Sequence, residues 1–336
     1  MERYARQVVF SHLGEERQKK LLNSKVTIIG VGALGTVSAN NLCRSGVGHI
    51  RIVDRDYVEI SNLQRQILYN EEDSKESLPK AAAAFRHLSK VNSEINIEPV
   101  IGDVNSSNIE SLIHDADLVL DATDNWEIRI LLNEACHFLK IPWIYCAALG
   151  SRGMTMNLLP GEGNPCLRCI MPEAASAPGE SCSTFGVLNM ATGAIASIQS
   201  MEAIKILVGS SSIRRELLTM DLWENHTALI KFEKKPDCPV CGHGKYEYFG
   251  KASGSYTTSI CGANSVQIVP AEAVNVDFQA LAEKLKLVGS VRFNKFTLVF
   301  QDGKYEITLF RDGRAMIKNA IDGNNAKSIY TEYIGM

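Results

Sequence analysis

The amino-acid sequence predicts an α/β protein, a doubly wound and mostly parallel β-sheet followed by a small C-terminal α+β appendage. In the first 150 residues short β-branched runs alternate with helical patterns, which is the order of a parallel sheet with helical crossovers. The first such run is followed at once by glycines, as in the first strand–helix turn of these sheets. Near the C-terminus two Asp-Gly pairs lie between apolar runs and predict hairpins.

Each element is predicted from the spacing of its apolar residues and from the residues that bound it. The predicted strands of the sheet are residues 25–30, 49–54, 95–101, 117–121 and 143–146. The predicted helices between them are residues 34–44, 79–91, 105–114 and 126–140. They are followed by an extended strand (154–159), a loop or crossover rich in Gly, Pro, Ser and Cys (161–183) and a long helix (187–208). In the appendage we predict a helix at 277–285 and strands at 297–301, 305–310 and 315–318.

Length and composition are those of an ordinary globular protein. The chain has 336 residues, and at roughly 100–200 residues per domain we place a first domain at 1–244 and the appendage at 245–336. Its 35 Lys and Arg residues nearly balance 38 Asp and Glu, so binding of nucleic acid through net positive charge is not expected. No apolar run reaches the ~20 residues of a membrane span, and the mixed, charged N-terminus is unlike a signal peptide. We therefore expect a cytoplasmic protein with no membrane partner.

The chain contains nine cysteines, and an odd number without a secretion signal favours a reducing compartment and thiols used in metal binding or chemistry. Cys166 and Cys169 form one C-x-x-C pair, and Cys238 and Cys241 form another. Two such turns can present four thiolates tetrahedrally to one Zn²⁺, which leaves no position for water and predicts a structural site. A redox C-x-x-C pair or unrelated core thiols are the alternatives.

A nucleotide site is indicated where the first predicted strand ends. Gly30, Gly32 and Gly35, with Ala33 among them, form a G-x-G-x-x-G turn that opens a helix. Backbone N–H groups in such a turn, and the helix N-terminus, favour phosphate groups. Asp54 ends the next predicted strand, where an acid can hold ribose hydroxyls. NAD(P)-dependent oxidoreductases share this pattern, so it does not identify the nucleotide by itself.

Residues after Asp54 favour a triphosphate. An arginine, a lysine and an asparagine follow closely, and the two cations are suited to the charge of a triphosphate. The candidate residues of this segment are Asp56, Ser61, Asn62, Arg65, Gln66 and Lys80. Asp124 and Asn125 follow another predicted strand, and ligands of doubly wound sheets bind at such strand ends. Asp124 is therefore a candidate Mg²⁺ ligand.

The remaining cysteines receive separate interpretations. Cys182 lies alone in the predicted loop before the long helix, where a thiol can be exposed enough to act as a nucleophile. The alternative is a spare thiol in a loop. Cys43 and Cys136 fall in apolar-periodic helices and Cys146 ends an apolar strand, so we predict that all three are buried. Cys261 belongs to the appendage and receives no assignment.

Taken together, these motifs resemble those of the ThiF/MoeB/HesA adenylyltransferases, the bacterial relatives of ubiquitin-activating enzymes. The resemblance covers about residues 1–242 and rests on RYARQ, GVGALG, D-x-D with SNLQRQ, the Lys80 region, ATDN and both C-x-x-C pairs, in this order. It implies a Rossmann-like ATP-binding fold of the ubiquitin-activating type. It also implies that ATP activates the C-terminal glycine of a small ubiquitin-like sulfur carrier, giving an acyl adenylate and pyrophosphate. Ala33 is a small departure, because several members have glycine there.

The resemblance further implies roles for single residues. Asp54 would bind ribose, whereas Asn62, Arg65 and Lys80 would bind the phosphates. Asp124 would bind Mg²⁺, with Asn125 beside it. Arg6 resembles the arginine that reaches into the partner subunit's site, which implies a homodimer. Cys182 matches the cysteine that links covalently to the carrier in thiazole-synthesis members.

We therefore predict an ATP-dependent adenylyltransferase that acts on a carrier with a C-terminal Gly-Gly, in thiamine (thiazole) biosynthesis first and molybdopterin synthesis second. A cysteine desulfurase or a sulfurtransferase would be the sulfur donor. An NAD(P)-dependent oxidoreductase would explain GVGALG and Asp54, but it leaves SNLQRQ, Asp124 and the paired cysteines without a role. A catalytically silent binding module is disfavoured because the catalytic candidates are intact.

Overall fold

The structure is a computed structural model that describes residues 1–161, 163–171, 185–251, 256–260, 265–270 and 274–335, with the backbone alone at 256–260. The described residues fall into two compact units. The first unit contains the described residues of 1–75, 79–179 and 187–251. The second contains those of 76–78, 180–186 and 252–336.

The first unit is built on one eight-stranded sheet. Its strands are β1 (Lys25–Ile29), β2 (His49–Asp54), β3 (Asn96–Ile101), β4 (Leu118–Asp121), β5 (Trp143–Leu149), β6 (Arg152–Leu158), β7 (Leu217–Asp221) and β8 (His226–Ile230). They follow the order β3-β2-β1-β4-β5-β6-β7-β8. The pairs among the first five strands are parallel, and the pairs from β5 to β8 are antiparallel.

Helices cover both faces of this sheet. They are α1 (Ala5–Val8), α2 (Gly14–Asn23), α3 (Ala33–Ser45), α4 (Glu71–Lys75), α5 (Lys80–Val91), α6 (Ile109–Ile113), α7 (Trp126–Leu139), α8 (Leu167–Ile170) and α9 (Asn189–Leu207). α3 packs against α5 and α9, while α6 and α7 share an apolar core with the strands. Because both faces are covered, β1 and β4 are buried almost along their whole length. Within the described ranges no helix, α9 included, has the length and apolar character needed to cross a bilayer.

The second unit has a sheet of its own. Its strands are β9 (Tyr256–Ile260), β10 (Ser265–Val269), β11 (Ser290–Phe293), β12 (Thr297–Gln301), β13 (Glu306–Phe310) and β14 (Ala315–Lys318), all paired antiparallel in the order β11-β12-β13-β14-β10-β9. Two helices, α10 (Phe278–Leu285) and α11 (Gly323–Tyr333), share an apolar core with the strands. This unit is an α+β structure.

The predicted fold class is confirmed, because the sheet is mostly parallel and doubly wound and a separate α+β unit follows. Both predicted hairpins are present, and Gly303 and Gly313 in their turns take positive φ values of +90° and +85°. The sequence did not reveal the hairpin of β7 and β8. Its turn has no glycine, and Asn225 takes the left-handed conformation instead, with a φ of +52°.

Candidate active site

The glycine-rich turn after β1 has two glycines that the fold itself requires. Gly30 has a φ of +86°, and a Cβ there would lie 2.9 Å from the carbonyl oxygen of Ala122. A Cβ on Gly35 would lie 2.1 Å from the carbonyl oxygen of Gly30, so α3 could not approach the turn. At Gly32 a Cβ would meet only Gln66 Nε2, at an ordinary 3.7 Å. Packing within the chain therefore explains why residues 30 and 35 are glycine. It does not explain Gly32, where the absence of a side chain would let a ligand approach the backbone.

Asp54 supports this turn from the end of β2. Its Oδ2 accepts a hydrogen bond from the Val31 N–H (2.7 Å), and its Oδ1 accepts one from the Asp56 N–H (2.8 Å). Burial raises the pKa of Asp54, and the Lys80 cation partly offsets that rise. The carboxylate orients the glycine turn, and its predicted contact with ribose stays a prediction.

Lys80 brings a buried cation to the same edge of the sheet. Its Nζ donates to Asp56 Oδ2 (2.9 Å), and only 9% of the side chain is exposed. Burial lowers the pKa of Lys80, but the carboxylates of Asp56 and Asp54 outweigh it, so the pKa lies above its usual value. Arg55 lies close by, with Nη1 donating to Asp103 Oδ1 (3.2 Å). Two cations are thus held among carboxylates beside the glycine turn.

The segment after β4 is held by a buried ion pair that the sequence did not reveal. Arg129 Nε donates to Asp121 Oδ2 (3.0 Å), while Asp121 Oδ1 accepts from the N–H (2.9 Å) and the hydroxyl (2.8 Å) of Thr123. Asn125 caps α7 by accepting two backbone N–H groups through its side chain. Asp124, between these fixed residues, is exposed.

The carboxylate of Asp124 interacts electrostatically with three cations. Burial lowers the pKa values of Arg55, Lys80 and Arg129, yet neighbouring carboxylates outweigh it, and Asp124 contributes to all three increases. Asp124 therefore adds negative potential near these cations, which suits a carboxylate that binds a cation beside phosphate groups.

The glycine turn, Asp54, Asp56 and Lys80 form a cradle, and the chain after β2 reaches it through Gln66. Asn62 Oδ1 accepts from the Glu59 N–H (3.1 Å) and caps a short 3₁₀ turn (Ile60–Asn62). Arg65 is half-buried and donates through Nη1 to the carbonyl oxygen of the exposed Ser61 (3.0 Å). Gln66 is buried, and its Oε1 has no hydrogen-bond partner among the described residues. An orphaned acceptor beside the glycine turn fits a site whose donor is supplied by a ligand.

The four paired cysteines form one cluster. Their Sγ atoms all lie within 4.8 Å of one another, with Cys166–Cys238 at 3.6 Å and Cys169–Cys241 at 3.3 Å. Sulfurs around a tetrahedral zinc ion would lie about 3.8 Å apart, given Zn–S bonds of about 2.3 Å. Burial and the neighbouring thiols raise the pKa of Cys166 to about 11, which disfavours a cluster of free thiolates. These four cysteines are able to bind a metal ion.

α7 positions both halves of this cluster through two polar residues. The N–H of Leu167, the first residue of α8, donates to Asn133 Oδ1 (2.8 Å). The buried carboxylate of Glu134 accepts the backbone N–H groups of residues 247–249 at 2.8–2.9 Å. The only signal for this role in the sequence is an Asn-Glu pair in the middle of a largely apolar helix.

A comparison with protein families matches residues 4–240 to the ThiF family. The chain belongs to the ThiF family. Among curated relatives, it is 40% identical over 336 residues to the sulfur carrier protein ThiS adenylyltransferase of Bacillus subtilis, covering 99% of each chain. It is 37% identical over 247 residues to the SAMP-activating enzyme E1 of Haloferax volcanii, covering 73% of this chain and 90% of that one.

Solved structures show the same fold at lower identity. Escherichia coli MccB with ATP is 23% identical, with a TM-score of 0.63, over 71% of this chain and 74% of that one. The predicted family is therefore confirmed, and so is the fold.

The structure brings most of the predicted residues of this ThiF-family chain together. Asp54, Asp56, Lys80 and the glycine turn lie in direct contact. The predictions of burial are confirmed for Cys43, Cys136 and Cys146. The predicted residues Cys182 and Cys261 lie outside the part of the chain that the structure describes.

Arg6 is exposed on α1, away from this cradle. The segment that carries it is anchored at the C-terminal end of α3, where Gln7 Nε2 donates to the Ser45 carbonyl (2.9 Å) and Tyr4 packs on Gly46. α3 has 13 residues and is therefore about 20 Å long. The glycine turn lies at its opposite end.

Proposed function

We propose that this protein is an ATP-dependent adenylyltransferase that activates the C-terminal glycine carboxylate of a ubiquitin-like sulfur carrier in thiamine (thiazole) biosynthesis. One observation carries the proposal. The buried cation of Lys80 pairs with Asp56, which contacts the carboxylate that supports the glycine turn at the carboxyl edge of the sheet, in a chain that matches a ThiS adenylyltransferase over 99% of its length. The products would be an acyl adenylate and pyrophosphate.

The chemistry needs charge neutralisation more than acid–base catalysis. A carboxylate must attack the α-phosphate, so two anions have to meet. Lys80, which stays protonated, and Arg65 would hold the phosphates, while Gly32 lets the backbone approach them. Asp124 would hold Mg²⁺, which supplies further positive charge. Positioning by these groups lowers the barrier without a covalent step on the enzyme.

A further positive charge at the site, the guanidinium of Arg6, would come from a second subunit. The segment that carries Arg6 is anchored at the opposite end of α3 from its own glycine turn, which favours action of Arg6 on a partner's site. Closed two-fold symmetry gives each subunit the partner's arginine in return. We therefore propose a homodimer in which Arg6 completes the partner's site.

The test is isotope exchange between pyrophosphate and ATP with carriers that end in Gly-Gly. Exchange is expected with the thiamine-pathway carrier, because its carboxylate accepts the adenylyl group of ATP as pyrophosphate leaves, and none is expected with a carrier lacking the last glycine. A Lys80→Ala variant serves as the inactive control. If exchange occurred with the small subunit of molybdopterin synthase and not with the thiamine-pathway carrier, the protein would be assigned to molybdopterin synthesis. Reduction of NAD(P)⁺ without any exchange would replace the proposal by the oxidoreductase.

We propose that the ion of the cysteine cluster is Zn²⁺. Four thiolates are its preferred set in structural sites, and they leave no open position for catalysis. The ion would join α8 to the segment that contains Cys238 and Cys241. Its role would be to hold the fold.

Cys182 is proposed as the sulfur-handling thiol, on the family resemblance. Cys182→Ser is expected to leave pyrophosphate exchange intact and to block conversion of the carrier carboxylate to a thiocarboxylate, because adenylation does not use the thiol. Mass spectrometry of the carrier C-terminus, with a cysteine desulfurase or sulfurtransferase as donor, measures the product. Cys261→Ser is the matched control and should behave as wild type. If the Cys182→Ser variant formed thiocarboxylate as fast as the wild type does, the proposed sulfur-handling role of Cys182 would be wrong.

A further inference from the structure

Tyr69 is a buried residue to which the proposed chemistry gives no role. Its hydroxyl donates to the carbonyl oxygen of Val31 in the glycine turn at 2.7 Å. It also lies 3.2 Å from the carbonyl oxygen of Lys80, at the start of α5. One hydroxyl thus connects the glycine turn with the helix that carries the phosphate-binding lysine.

The two peptides that flank the Val31–Gly32 peptide are held as well. The N–H of Val31 donates to Asp54 Oδ2 at 2.7 Å, so Val31 is bound through both its N–H and its C=O. The carbonyl of Gly32 in turn accepts from Thr36, through the backbone N–H at 3.0 Å and the hydroxyl at 2.9 Å. The turn has little freedom to rotate its peptide planes.

The direction of the Gly32 N–H follows from the geometry of the peptide bond. In a trans peptide the C=O of one residue and the N–H of the next point to opposite sides. Because Tyr69 holds the Val31 C=O on the buried side, the Gly32 N–H points to the opposite side of the turn. Gly32 is also the glycine of this turn at which a Cβ would meet no close contact within the chain, so packing does not explain why the residue is glycine.

We propose that Tyr69 is a positioning residue, whose hydroxyl keeps the Val31–Gly32 peptide turned so that the Gly32 N–H faces the phosphates of the nucleotide. This inference rests on the proposed function, since it needs ATP in the cradle. Burial and the nearby Asp54 carboxylate raise the pKa of Tyr69, so its hydroxyl remains a donor throughout the working pH range. Loss of the hydroxyl frees the peptide plane to rotate, and the phosphates lose a donor.

Tyr69→Phe tests this directly, with Tyr330→Phe as the matched control. Tyr330 is 5% exposed and donates to the Gly313 carbonyl at 2.7 Å, as Tyr69, 7% exposed, donates to Val31, but it belongs to the second unit. Calorimetric titration of the full chain with ATP and with adenosine separates phosphate contacts from the rest. For Tyr69→Phe we expect ATP affinity about fivefold to tenfold weaker and adenosine affinity unchanged, a loss typical of one hydrogen bond. Tyr330→Phe should bind both ligands as wild type does.

Equal weakening of ATP and adenosine, or no weakening of either, would overturn the positioning role. If the wild type itself bound no ATP, the proposed function would fail instead, so the two failures are distinguishable. Hydrogen exchange on the wild type needs no variant. Amides of residues 30–35 should exchange more slowly with ATP than with adenosine, and identical exchange with both ligands would contradict the inference.

Discussion

Arg6→Ala is expected to lower carrier-dependent pyrophosphate exchange by about 10³–10⁵-fold, while the protein keeps its fold and its dimeric state. The physical reason is that an arginine supplied from a partner neutralises charge that develops only in the transition state, which is worth about that factor in other phosphoryl-type transfers. Exchange kinetics measure the loss, and circular dichroism with light scattering establishes fold and mass.

A neighbouring arginine and a mixed dimer give the controls for Arg6. Arg3→Ala removes a guanidinium that donates to the Val91 carbonyl of its own chain (3.0 Å), and it should retain exchange. Co-expression of Arg6→Ala with Lys80→Ala should restore about a quarter of wild-type exchange, because half of the dimers are mixed and each contains one complete site. A mixed population as inactive as its parents would mean that Arg6 acts within its own chain, and an active Arg6→Ala parent would mean that Arg6 has no catalytic role.

Cys238→Ser is expected to reduce zinc from one ion per chain to nearly none and to lower the midpoint of thermal unfolding by roughly 10 °C. Cys238 is buried and its Sγ lies 3.6 Å from that of Cys166, so loss of the thiolate breaks the set of four. The segments that the ion joins lie far apart in the sequence, and without the ion they lose their common anchor. Plasma emission spectrometry measures the metal, and calorimetry measures the midpoint.

Cys43→Ser is the control for the metal prediction. Cys43 is an equally buried thiol whose Sγ lies 3.6 Å from the Leu88 carbonyl, outside the cluster. Its replacement should cost some stability and leave the zinc content at one ion per chain. Freshly purified wild type that contained no zinc, with all four thiols open to titration, would refute the site.

Much of the candidate site was predictable because its signals are local in the sequence. The glycine turn follows a β-branched run directly, and Asp54 ends the next one, so the order of residues already places both at one edge of a parallel sheet. The paired cysteines have a spacing that only a few kinds of site use. The hairpin of β7 and β8 was missed because Asn225 occupies a position that glycine usually marks.

Other parts of the site depend on residues that are distant in the chain or lack a distinctive spacing. Arg129 reaches Asp121 from the first turn of α7, and nothing about an arginine at that position in the sequence predicts a buried partner. Glu134 accepts three backbone N–H groups more than a hundred residues away. Such contacts arise only when packing has brought the elements together.

The functional groups of the site are all visible as short sequence patterns: a phosphate-binding turn, an acid at the end of the next strand, cations that follow it, and four thiols in two pairs. These are short patterns, and local conformation is sufficient to specify them. The contacts that hold these groups in place depend on the folded chain: Lys80 pairs with Asp56, Tyr69 binds the glycine turn, and the segment of Arg6 is anchored at the far end of α3. The reason is that hydrogen bonds and ion pairs act over a few ångströms in space, whatever the distance along the chain.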